Sequence, residues 1–229
     1  MLVRHEDRLR KRAASENSAA LANRADWPEV RALQDIGALF YSRGWSVGTS
    51  SNYSVVLGRD PLRLLLTASG KDKRSLGPTD FLIVDENGAA AEATDAKPSA
   101  ETLLHVVAAN QPTVGSVLHT HSVWATLLSD HFFRDGGMAI EGYEMLKGLS
   151  GITTHEHREW IPIFENTQDI PSLAEKVKAR FADPKSPLAH GYLIRNHGLY
   201  TWGKDLAEAR RHIEIFEFLF EVVARKLKL

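Results

Sequence analysis

The chain contains no cysteine. That absence excludes disulfides, thiolate nucleophiles and sulfur-ligated metals together, and it is compatible with a reducing compartment. Neither sign of charge is in surplus: 28 Lys and Arg stand against 29 Asp and Glu, a formal net charge of −1. A nucleic-acid binder needs a basic excess or stripe to meet phosphates. The one basic cluster (Arg8, Arg10, Lys11 and Arg12) shares its terminal segment with Glu6 and Asp7 and reads as a solvated tail. No apolar stretch follows these residues, so no secretory signal is expected. No apolar run approaches the roughly 20 residues of a membrane span. Nucleic acid and membrane are therefore not expected partners, and the expected location is cytoplasmic.

What is present describes a globular chain. Its 229 residues are 43% hydrophobic and 25% charged, enough for one domain with a substantial core. No repeat or low-complexity linker divides it. Residues 1–25 are polar and Ala-rich, an N-terminal extension expected to be helical or frayed, and 26–229 are expected to form a single domain. Asp26-Trp27-Pro28-Glu29 reads as a capped helix start, with Val30, Leu33, Gly37 and Phe40 at helical spacing and Gly44 closing it. Tyr53 to Leu57 and Leu62 to Thr67 read as a hairpin across Gly58-Arg59-Asp60-Pro61. Strands are expected at 81–85, 115–121, 160–164, 192–196 and 199–202. Helices are expected at 98–110, 122–130, 138–149 and 172–182. Asp205 and Glu208 form a capping-box pattern ahead of a final helix with a continuous apolar stripe. Strands and helices alternate with hairpins among them, which predicts a mixed sheet with helices on both faces. No glycine-rich loop of the dinucleotide or P-loop type joins a strand to a helix.

The strongest local signal is Leu118-His119-Thr120-His121. Residues two apart on a strand face the same side, roughly 6.5–7 Å apart at Cα, so two imidazoles can converge on one ion. His197, where Arg195-Asn196-His197-Gly198 turns, offers a third ligand, and three His with an open position is a catalytic arrangement. His155-Glu156-His157 has the same spacing but lies in a polar stretch with no alternation to orient it. His5, His105, His131, His190 and His212 read as tail, surface or core residues. Glu101, Glu141 and Glu144 could serve as acid or base. On the residues alone, a Glu in the first turn of a helix complements its dipole and Glu144 fits a solvated helix face. Asn52 within Gly48–Asn52, Ser69, Gly70 and Lys71 after Thr67, and Ser99 before a helix could together hold a phosphate; ordinary turn chemistry explains the same residues.

Taken in order, the Ser-Asn loop at 50–52, Thr-Ala-Ser-Gly at 67–70, Pro-Ser-Ala-Glu at 98–101, His-Thr-His at 119–121 and Asn-His-Gly at 196–198 resemble the class II aldolase/adducin family from about residue 27 to the C-terminus. The resemblance implies an α/β, three-layer α/β/α fold with a central, largely antiparallel mixed sheet. It implies one zinc ion per subunit on His119, His121 and His197. Glu-Met-Leu-Lys-Gly at 144–148, Ile-Pro-Ile-Phe-Glu-Asn-Thr at 161–167 and His-Gly-Leu-Tyr-Thr-Trp-Gly at 197–203 are most similar to a dehydratase branch of methionine salvage. That branch removes water from a methylthio ketopentose 1-phosphate, taking the C3 proton and the C4 hydroxyl to leave a 2,3-diketone, with no organic cofactor. There the acid/base would be Glu144; in the aldolase branch it falls at Glu101. The family aldolases carry a second hydroxyl where Ala100 stands. Members are usually homotetramers with sites near subunit boundaries.

Overall fold

The computed structural model describes residues 24–229. All but the last two residues of the expected extension, 1–25, lie outside the described residues. Among the described residues no helix is long and apolar enough to cross a membrane.

Helix α1 (Pro28–Ser42) starts with Pro28 in its first turn, where a fixed φ and a missing N–H are tolerated. Trp27, not Asp26, takes the cap position; Asp26 instead pairs with Arg31 at 2.6 Å. Gly44 turns the chain away at φ +76°. Strands β1 (Asn52–Arg59) and β2 (Leu62–Thr67) form the expected hairpin, and β3 (Phe81–Val84) extends it. There follow α2 (Thr102–Ala109), β4 (Ser116–Thr120), α3 (Val123–His131), β5 (Gly137–Glu141), β6 (Arg158–Phe164), α4 (Ile170–Phe181), β7 (Gly191–Ile194), β8 (Gly198–Gly203) and α5 (Leu206–Leu227). Asp205 accepts from the Glu208 N–H at 2.8 Å and caps α5 as its sequence predicts.

Two expectations are corrected. Residues 138–149 are not a helix: 137–141 form β5, with Met138 and Ile140 turned inward opposite Ile161 and Glu159, and Gly142 at φ +81° ends the strand. Apolar residues two apart serve a strand, and only a one-turn 3₁₀ helix, Glu144–Gly148, follows. The helix expected from 98 begins at Thr102, because Ser99 to Thr102 is spent on a turn closed by Thr102 N–H to Ser99 O at 3.1 Å.

The eight strands lie in the order β3-β2-β1-β4-β8-β7-β6-β5. Every pair is antiparallel except β6 with β7. Helices α1, α3 and α5 cover one face around Leu33, Phe40, Leu128, Phe216 and Phe220; α2 and α4 cover the other around Leu104, Ala108, Leu173 and Val177. The architecture is the three-layer α/β/α arrangement. Truncating a fully buried ring such as Phe216 costs about 3–5 kcal/mol. The alternation of β4 sends Leu118 to the α5 layer and Val117 to the α2 layer, and His119 shares the face of Val117. The end of β4 thereby opens toward the N-terminus of α2.

Candidate metal centre

His119 is the fourth residue of β4, and His121 stands one residue past its end, held by its own N–H to Trp45 O at 2.8 Å. β8 pairs with β4 through His119 opposite Tyr200 and Thr120 opposite Leu199, so the turn that enters β8 lies beside the end of β4. Asn196 takes a left-handed φ of +52° in that turn. A Cβ on Gly198 would lie 2.0 Å from Thr120 O, so only glycine lets the strands close up and bring His197 into place.

The three imidazoles meet. His197 Nε2 lies 3.3 Å from His119 Nε2 and 3.2 Å from His121 Nε2. Glu101 closes the group, with Oε1 at 3.0 Å from His197 Nε2 and Oε2 at 3.6 Å from His119 Nε2. The four donor atoms lie within 4.8 Å of one another. Zinc–nitrogen bonds of about 2.0–2.1 Å in a tetrahedron set nitrogens roughly 3.3–3.4 Å apart, so the spacing suits a divalent ion. The protonation state suits it as well. His119 Nδ1–H donates to Leu199 O at 2.9 Å, which leaves the Nε2 lone pair facing the centre. Burial pushes His119 well below the ordinary imidazole pKa, and burial with repulsion from His197 takes His121 down to about 4. Tyr200 stacks on His119 at 4.0 Å between centroids and an angle of 13°, fixing the ring.

Burial alone would raise the Glu101 carboxyl, but the neighbouring His119 and His197 and the Asn52 amide outweigh it and hold the group well below the usual carboxylate range. Glu101 occupies the cap position of α2 yet makes no cap hydrogen bond; its carboxylate turns into the site. Asn52 Nδ2 donates to Glu101 Oε2 at 2.8 Å and to Ser99 Oγ at 3.1 Å. Asn52 Oδ1 accepts from His105 Nε2, and His105 Nδ1 meets Ser54 Oγ at 2.7 Å. Flipping the Asn52 amide would set its oxygen against the carboxylate, so the charge on Glu101 fixes the polarity of the whole chain. By sequence alone His105 reads as a surface or core residue. It is buried, but it lies four residues after Glu101 on the same helical face and supports the site through Asn52.

The described structure thus gathers residues from well-separated segments at one point. The family model for the class II aldolase and adducin N-terminal domain matches residues 31–224. The chain belongs to the class II aldolase and adducin family. Among its relatives, the methylthioribulose-1-phosphate dehydratase of Marinobacter nauticus is 48% identical over 193 residues, 84% of this chain and 90% of that protein. The Pseudomonas aeruginosa protein of the same name is 50% identical over 197 residues, 85% and 93% of the two chains. In fold, L-fuculose 1-phosphate aldolase superposes with a TM-score of 0.71 at 19% identity, covering 90% of this chain and 89% of that one. The L-fuculose-1-phosphate aldolase of Thermus thermophilus does so with 0.65 at 21%, covering 86% and 94%.

In this member of the family the remaining candidates separate clearly. Asn52, Ser69, Gly70 and Ser99 border a cavity of about 150 Å³ whose wall also includes Glu101, His121 and His197. Lys71 does not: its Nζ pairs with Asp80 at 2.8 Å, and it faces a neighbouring cavity of about 490 Å³ with Ser69 and Lys97. Glu144 is not among the clustered donors. It lies exposed on the one-turn helix, where Lys147 at 2.6 Å and His155 at 3.1 Å hold its carboxyl below the ordinary value. His155 and His157 are likewise outside the cluster, His157 pairing with Glu159 at 2.8 Å.

Proposed function

We propose that the chain catalyses the dehydration of 5-methylthioribulose 1-phosphate to 2,3-diketo-5-methylthiopentyl 1-phosphate and water, with one zinc ion per subunit on His119, His121 and His197. The observation that carries this reading is the 48–50% identity to methylthioribulose-1-phosphate dehydratases over 84–85% of the chain. The sulfur-free donor set supports zinc, which takes neutral imidazole and carboxylate readily. Bound there, the ion supplies Lewis-acid stabilisation for the negative charge that develops as the carbon beside the ketone loses its proton.

The chain's own groups supply the rest. Asn52, Ser69, Gly70 and Ser99 hold the phosphate end in the small cavity, by side-chain donors and backbone N–H groups. Glu101, ionised and aimed by Asn52, accepts the C3 proton. Glu144, exposed on its own subunit and ionised at rest, serves the centre of a neighbouring copy in a homotetramer: it takes over the proton that Glu101 accepted and delivers it to the C4 hydroxyl, which leaves as water. The enol that remains tautomerises to the diketone. The enzyme acts in the cytoplasm.

The decisive assay is turnover of 5-methylthioribulose 1-phosphate followed by mass spectrometry; diketone that a chelator abolishes and zinc restores is the expected result. Glu101→Gln and Glu144→Gln should each lower kcat about 10²- to 10⁴-fold with zinc retained. Assemblies reconstituted from Glu144→Gln and His197→Ala subunits should recover activity, since each supplies what the other lacks. No recovery would return Glu144 to its own subunit. The placement of Glu101 inside the cluster favours a second reading, cleavage or epimerisation of another sugar phosphate. An enzyme killed by Glu101→Gln and untouched by Glu144→Gln, with no diketone formed, would select it.

A further inference from the structure

The loops that border the small cavity, Thr49–Asn52 and Ala68–Gly70, present hydroxyls and backbone groups but no cation of their own. Lys71, which follows them in sequence, already has its amine on Asp80. Two residues on, Lys73 opens a one-turn 3₁₀ helix, and it is 1% exposed. Its Nζ–H donors meet Lys71 O at 2.7 Å and Thr49 O at 3.5 Å, one carbonyl from each end of the two loops. Among the described residues no carboxylate lies within ion-pair distance of that ammonium. The acidic neighbours are engaged elsewhere: Asp80 by Lys71 at 2.8 Å, and Asp72 by Arg74 at 3.0 Å.

A buried ammonium satisfied only by neutral carbonyls is costly to maintain, because desolvation disfavours the charged form. Burial accordingly lowers the Lys73 pKa to about 8, against the opposing pull of Asp72 and Asp80, which leaves the group mainly protonated at pH 7. An anion held in the adjoining cavity would supply the missing counter-charge.

We propose that Lys73 is a specificity-determining residue for the phosphate of the substrate: its buried ammonium, seated behind loops 49–52 and 68–70, selects a dianionic phosphate monoester and holds both loops in the shape that receives it. The inference rests on the phosphorylated substrate of the proposed function but not on the reaction performed there. Lys73 acts through the loops and through its charge, so it is a positioning residue.

The test uses full-length, zinc-loaded protein and inorganic phosphate as the probe, by isothermal titration calorimetry. Lys73→Gln should weaken phosphate binding on the order of 10-fold or more, as loss of a nearby charge in a low-dielectric site requires. Lys73→Arg should recover much of it, and zinc content should match wild type in both. KM for the phosphorylated sugar should rise, while the affinity for 5-methylthioribulose without its phosphate stays constant. A merely structural tie would move both ligands alike, and that result, or phosphate affinity within about twofold of wild type in a folded Lys73→Gln protein, overturns the proposal. If Lys73→Gln does not fold, ¹⁵N-lysine spectra of the wild type decide: the solvent-shielded ammonium resonance missing from Lys73→Arg should shift as phosphate is added, and an unmoved resonance overturns the assignment. Loss of phosphate binding in an enzyme that forms no diketone would leave the role of Lys73 standing and remove the dehydration reading instead.

Discussion

Glu101 and Glu159 are both carboxylates enclosed by histidines, and the two surroundings use the same groups to opposite ends. Around Glu101, three ring nitrogens converge on one point, and His119 spends its N–H on Leu199 O, which leaves a lone pair inward. Around Glu159, the nitrogens donate: His157 Nε2 at 2.8 Å and His190 Nδ1 at 2.9 Å both point at the carboxylate. The second nitrogen of His190 faces another acceptor, Ser150 O, at 2.8 Å. A ring with acceptors at both nitrogens carries both protons. His190 is therefore an imidazolium, its pKa raised by Glu159 and the Ser150 carbonyl against the lowering effect of burial. One cluster sets an anion beside buried imidazoles whose affinity for a proton is lowered at His119 and His121, and together they invite a cation; the other contains its own cation. His/Glu composition does not distinguish them. The direction of each N–H does, and that is set by backbone carbonyls far away in sequence.

The comparison is broken most severely by His197→Ala. It should abolish zinc binding and lower turnover on the order of 10³-fold or more, whereas His190→Gln should leave the zinc content, read by elemental analysis, at the wild-type level. If His190→Gln emptied the centre, the two clusters would not be independent.

The second contrast is in stability. The Glu159 side chain is 2% exposed, so Glu159→Gln strands a buried imidazolium and should cost about 3 kcal/mol. The pH dependence sharpens it. Burial would raise Glu159, yet the hydrogen bonds and charge of His190 and His157 lower it, so its contribution is present above the ordinary carboxylate pKa and fades as pH falls through the depressed value. His190 is raised above 6.5, so its contribution is full below that pH and fades as pH rises through the raised value. Tm curves should show the widest gap between wild type and Glu159→Gln around pH 5–6.5, narrowing above pH 7. A gap that widened with rising pH would contradict an imidazolium at His190.

What was legible in the sequence follows the same division. The clustered histidines were readable because the period of a strand aims His119 and His121 to one side, and a turn glycine after His197 marks where another strand presses close. The layer order was readable from alternation and from the stripe of α5. Glu101 was visible as a helix-start residue and a candidate acid/base but not as a member of the His cluster, since its turn inward depends on Asn52, 49 positions away. His105 and Lys73 were missed for a related reason: one works through an amide and the other through two carbonyls, and neither bond leaves a sequence pattern. Lys71 stood out by its proximity to Ser69-Gly70, although its pairing with Asp80 removes it from the cavity. The strand at 137–141 was read as helix because short apolar runs satisfy both periods, and only the ladder with β6 decides.

The smallest effect belongs to the motif that most resembles His119-Thr120-His121. His155-Glu156-His157 has the spacing of His119-Thr120-His121, but it stands before β6, and its two rings go to different carboxylates, His155 to Glu144 and His157 to Glu159. The His157 side chain is 32% exposed, and if it is replaced by Gln, Glu159 keeps the His190 imidazolium as its counter-charge. His157→Gln should therefore cost no more than about 1 kcal/mol, the value of one partly solvated hydrogen bond to a charge, with zinc content unchanged. Denaturant unfolding measures the first and elemental analysis the second. A loss as large as that of Glu159→Gln would mean that His157, not His190, carries the positive charge, and the contrast between the two clusters would have to be redrawn around a different ring.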